Sequence, residues 1–137
     1  MLRRLLGDEA FFRGLRRFYA DRRYQKAGTD DFERAMETES GRTLDRFFER
    51  WIYGSSLPHI RYSSSVEGQE VVVRFEQSGE IFDVPVTVTM TFNDRHVAEE
   101  VVSLTEAVVE WRFPIVGTLR TVTVNADQAA LGDFDRK

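Results

Sequence analysis

The chain of 137 residues contains only two histidines, His59 just after a Pro58 turn and His96 on an expected strand. His59 and His96 are too far apart in sequence for an H-E-x-x-H zinc helix, and two imidazoles cannot make a three-histidine site. Both histidines read as exposed surface side chains. The absence of cysteine removes disulfides, thiolate metal sites and thiol catalysis. There is no P-loop, no G-x-G-x-x-G and no G-x-S-x-G, so nucleotide and acyl-transfer chemistry have no foothold. Ser63-Ser64-Ser65 lacks a histidine placed to activate a hydroxyl and reads as strand or loop.

Carboxylates are the remaining reagents. Glu37 and Glu39 fall on a helix outside its apolar stripe, which makes them a solvated face. Glu99 and Glu100 are neighbours on a strand and point to opposite faces, so they cannot share a substrate proton. Asp127, Asp133 and Asp135 lack the Gly and Asp spacing of a calcium loop. The inventory therefore supplies no catalytic, metal-binding or cofactor-binding set.

Behind these residues stand two kinds of element. Leu44, Phe47, Phe48, Trp51 and Ile52 recur at helical spacing between Thr43, a candidate N-cap, and the stop signals Gly54 and Pro58. A short helix with a largely aromatic face should be buried there, and after Pro58 the period becomes alternating. Upstream, Leu2, Leu5 and Leu6 fit the last turn of a helix that began earlier. Asp8 caps a helix with Phe11, Phe12, Leu15, Phe18 and Tyr19 as its buried stripe and Gly28 as its end. Thr29 or Asp30 caps the next, with Phe32, Ala35 and Met36 inward and Ser40-Gly41 as its stop. Residues 1–57 thus read as an array of three to four helices.

Charge divides unevenly. Residues 1–27 hold eight basic against three acidic side chains, a net +5, and residues 28–137 hold eleven against twenty, a net −9. Arg16-Arg17-Phe18-Tyr19 interleaves basic and aromatic residues as some RNA binders do, but its aromatics fall on core spacing. A solvated helix face, and no nucleic-acid partner, is the expectation for a net-acidic chain. No apolar run reaches the roughly 18–20 residues of a membrane helix, and Met-Leu-Arg-Arg-Leu-Leu lacks a signal peptide's long apolar region. Nothing addresses the chain to a compartment.

From Ile60 onward the pattern is β. Ile60, Tyr62 and Val66 alternate with polar residues, as do Val71, Val73 and Phe75 after a Glu-Gly-Gln turn. Ser78-Gly79 marks the next turn. Val84, Val86, Val88, Met90 and Phe92 give the cleanest alternation, with Pro85 pointing to an edge or a strand start. Asn93-Asp94 turns the chain. Further strands fit residues 95–104, 107–113 and 119–125, the second with Val109, Trp111 and Phe113 on one face. The class is α+β: helices at 1–57, then an antiparallel, immunoglobulin-like β-sandwich at 58–137.

Gly7-Asp8-Glu9-Ala10-Phe11-Phe12, then Thr29-Asp30-Asp31-Phe32, then Ser40-Gly41, then Phe47-Phe48 and Trp51 up to Pro58 resemble, in order and spacing, the end of the catalytic domain of the aminopeptidase N family of gluzincin zinc metallopeptidases. In that family a Trp leads through a Gly-x-Pro turn into a β-sandwich; here Ser56 stands where the Gly is usual. Phe82-Asp83-Val84-Pro85-Val86-Thr87-Val88 is similar to a strand of that sandwich, and Val124-Asn125-Ala126-Asp127 to its last strand and exit. The resemblance implies structural roles for Phe11, Phe12, Phe47, Phe48, Trp51 and Pro58. It maps no zinc ligand, general base or transition-state tyrosine onto this chain, since all lie upstream of the matching segment.

What the resemblance implies is a C-terminal fragment, without a cofactor of its own, of a zinc enzyme that trims peptides. The upstream catalytic domain of the same polypeptide would be its partner, and helices cut from that domain would leave apolar surface free for a dimer through residues 1–27. The competing expectation is a free-standing immunoglobulin-like module binding protein or carbohydrate. That module needs an exposed aromatic platform, whereas Trp111 alternates with Val109 and Phe113 and points inward.

Overall fold

A computed structural model describes all residues from 1 to 137. Its chain forms four helices, α1 (Leu2–Leu6), α2 (Asp8–Arg22), α3 (Thr29–Ser40) and α4 (Asp45–Trp51). Seven strands follow: β1 (His59–Glu67), β2 (Glu70–Ser78), β3 (Val84–Phe92), β4 (Val97–Leu104), β5 (Val108–Pro114), β6 (Leu119–Val124) and β7 (Asp133–Arg136). The helices lie in one unit, Met1–Ser56, and the strands in another, Leu57–Lys137. The α+β class, helices and then a two-sheet sandwich, is as the sequence predicts.

The helical unit is built on α4. Leu44, Phe47 and Phe48 are buried with Leu5 and Met36, and Phe11, Leu15, Phe32 and Trp51 pack around them. The rings meet edge to face: Phe18 with Phe32 at 5.5 Å, Phe32 with Phe48 at 6.2 Å, Phe48 with Phe47 at 5.8 Å. Each such pair adds about 0.5–1.5 kcal/mol beyond the area it buries. Two expectations at this helix are corrected. Ile52 is 54% exposed, because the helix ends at Trp51 and Ile52 lies past its buried arc. Thr43 is not the N-cap; Leu44 is, and it has no side-chain acceptor for the first N–H groups. Burial of Leu44 takes its own N–H from water, and that N–H donates to Glu37 Oε2 at 2.9 Å.

α2 departs further from its predicted stripe. Gly14 is its one fully buried residue, Phe11, Leu15 and Phe18 are half-buried, and Phe12 and Tyr19 are exposed. At about 100° per residue, Phe12 and Tyr19 lie roughly 80–100° round the helix from Phe11, on the side away from Gly14. Five aromatic and apolar residues make an arc wider than one neighbouring helix covers. The seam with α3 lies at Gly14, where an added Cβ would come within 2.4 Å of Met36 Sδ. Ion pairs flank it: Arg13 and Arg17 reach Glu39 at 3.3 and 2.7 Å, and Arg22 reaches Asp31 at 2.6 Å.

Gly28 does not end α2, which stops at Arg22. It is instead the N-cap of α3, in place of the expected Thr29 or Asp30. Its N–H donates to Asp31 Oδ2 at 3.0 Å, half of a capping box whose other half a glycine cannot supply. Asp30 and Asp31 in the first turn suit the helix dipole, and Gly41 closes α3 in the left-handed conformation at φ 67°, as Ser40-Gly41 predicts.

The strand unit has two sheets, ordered β5-β2-β1-β7 and β4-β3-β6. All pairings are antiparallel except β1 with β7, which is parallel. Val71, Val73 and Phe75 of β2 are buried and stand opposite Phe113, Trp111 and Val109 of β5. Trp111 and Phe113 are half-buried and stack on each other at 5.3 Å. Val84, Val86, Val88 and Met90 of β3 are wholly buried. Pro85 pairs with Ser103 of β4 ahead of the stretch where β6 joins on the other side, so the missing N–H interrupts no second ladder. Between β2 and β3 the chain changes sheets. Gln77, buried, anchors that crossing: its Nε2 donates to the Phe82 and Glu106 carbonyls at 3.0 and 3.3 Å, and its Oε1 accepts Phe82 N–H at 3.1 Å.

Candidate functional site

Glu33 and Glu37 lie one turn apart on α3, and the turn after Gly41 brings Asp45, the first residue of α4, back over them. One oxygen from each of the three lies within 4.8 Å of the others. Glu33 is pushed up to about 7, first by burial, then by its hydrogen bond with Asp45, then by the charge of Glu37. Its Oε1 is closed to solvent and has no hydrogen-bond partner. A carboxyl with that affinity suits general acid–base work in principle. Its hydrogen bond, however, is spent on Asp45, a neighbour within the cluster. The cluster ties the protonation of Glu33 to the meeting of α3 with the start of α4.

The same donors test whether a metal belongs here. Three carboxylates are the ligands of hard cations and offer no imidazole, and Glu37 already accepts the Leu44 N–H. A gluzincin zinc site takes histidine nitrogen as well as carboxylate, and the chain's histidines are engaged elsewhere. His59 Nδ1 is 3.3 Å from Asp133 Oδ2, and the His96 ring tilts against Phe92 at 5.6 Å. The residues present do not fit zinc.

The other carboxylates separate. Glu37 and Glu39, expected on one solvated face, diverge: Glu37 caps Leu44, and Glu39 bridges to Arg13 and Arg17, which hold its carboxyl below the usual range. Asp127 Oδ2 accepts the Thr87 hydroxyl at 2.6 Å and its Oδ1 the Ala129 N–H at 3.2 Å. Asp133 and Asp135 lie on β7, a strand absent from the sequence reading. Glu99 and Glu100 are exposed on β4, and the Thr89 hydroxyl donates to Glu99 at 3.4 Å. His96 precedes β4 instead of lying on a strand, and Ser63-Ser64-Ser65 lies within β1. Sequence reasoning missed Glu33 and Asp45; the signal at hand was the one-turn spacing of Glu33 and Glu37.

Of the residues given structural roles, Phe47 and Phe48 are in the helical core, Phe11 and Trp51 are half-buried against it, and Phe12 is 39% exposed beneath the Arg3 guanidinium, 4.9 Å from its ring. Pro58 is buried ahead of β1, and its carbonyl accepts Asp133 N–H at 3.0 Å. Phe18 packs on Phe32 and Arg17 pairs with Glu39, so that part of the basic-aromatic run is structural. Tyr19 is 68% exposed, against expectation. No helix is long and apolar enough to cross a membrane.

A helical unit followed by a seven-stranded sandwich, with one carboxylate cluster between α3 and the start of α4, defines an α+β protein. The fold superposes on the crystal structure of Legionella pneumophila aminopeptidase A in complex with aspartic acid with a TM-score of 0.83, at 16% identity, covering 99% of this chain and 17% of that one. In sequence the chain is 27% identical over 93 residues to aminopeptidase N of Lactococcus lactis subsp. lactis, a match covering 62% of this chain and 11% of that protein. No protein-family model matches. The resemblance to the aminopeptidase N family is thus borne out as a likeness in sequence and fold, and this chain spans 11% of the length of the one protein and 17% of the other.

Proposed function

We propose that this chain is the non-catalytic C-terminal portion of a zinc-dependent aminopeptidase, comprising the last helices of its catalytic domain (residues 1–57) and the β-sandwich domain that follows (58–137). The parent releases N-terminal amino acids from peptides with a metal-activated water. This portion braces the catalytic domain and supplies no reagent. The observation that carries the reading is the likeness to aminopeptidases in both sequence and fold, in a chain whose donors do not fit zinc. Phe12, Tyr19, Ile52 and Tyr53, exposed on the helical unit, support it as surface that a further domain would cover.

The test is a pair of purified proteins, this chain alone and the chain preceded by the remainder of its reading frame, assayed on aminoacyl anilides and for bound zinc. The longer protein should cleave and hold zinc, and the chain alone should do neither. Stoichiometric zinc and peptide trimming by the chain alone, or a reading frame without an H-E-x-x-H, would overturn the proposal.

A further inference from the structure

We draw no further inference here: the strongest candidate, the carboxylate cluster of Glu33, Glu37 and Asp45 between α3 and the start of α4, has no second observation pointing to a bound ion, and nothing in the structure shows what covers the exposed Phe12 and Tyr19 face of α2 or the notch lined by Val66, Ile115, Val116 and Leu119.

Discussion

At Glu33 the packing of two helices is coupled to one proton. Its carboxyl binds that proton more tightly in the folded chain, at about 7, than at its ordinary value of 4.5. The folded state therefore holds more protons than the unfolded one between these values. The associated stability is complete below pH 4.5 and is lost as pH rises through 7. With the cluster partly open to solvent, the loss should be roughly 1–2 kcal/mol. Glu33→Gln, neutral at every pH, should flatten this slope and leave the helical unit about 1 kcal/mol more stable than the parent at pH 8. Urea unfolding at pH 5 and pH 8, followed by Trp51 fluorescence in a Trp111→Phe background, checks it; identical slopes in both proteins would count against it. Little of this cluster was legible in the sequence. The spacing of Glu33 and Glu37 is local, but Asp45 joins them only through the path of the turn after Gly41, and Glu39 draws the eye to the wrong partner.

Between elements, the α2–α3 seam depends on one absent side chain. Gly14 costs its helix about 1 kcal/mol relative to alanine, yet it lets Met36 lie fully buried against α2. Gly14→Val should destabilise the helical unit by about 2–3 kcal/mol through overpacking, and trimming Met36 to alanine in the same chain should recover part of the loss. Thermal unfolding of the single and double variants measures both. In the sandwich, Gln77→Ala removes the buried side chain that hydrogen-bonds the Phe82 backbone and the Glu106 carbonyl. It should cost about 2–3 kcal/mol, read from urea midpoints by Trp111 fluorescence in a Trp51→Phe background. The elements that could be read in advance are those with local causes: the αL stop at Gly41, the alternation of β3, and the Phe47-Phe48 face. Those that could not depend on distant partners. The N–H of Leu44, the N-cap of α4, is satisfied from α3, Gly28 is claimed by Asp31 as a cap, and β7 owes its existence to β1, since Asp133-Phe134-Asp135-Arg136 offers one apolar side chain to any pattern search.

For the molecule as a whole, the exposed Phe12 and Tyr19 predict how the chain behaves in isolation. At about 25 cal/mol per Å2 of apolar area removed from water, a face of this kind favours self-association. Light scattering should find a concentration-dependent dimer, and Phe12→Ser with Tyr19→Ser should return it to monomer; a parent chain that stays monomeric at high concentration would argue against an uncovered helix face. The chain's two tryptophans fall one to each unit, Trp51 beside Phe47 and Trp111 stacked on Phe113. Nature has in effect labelled the halves separately. Replacing either indole with phenylalanine leaves a single fluorophore, so whether helices and strands melt as one body or in succession becomes a question for an ordinary fluorimeter.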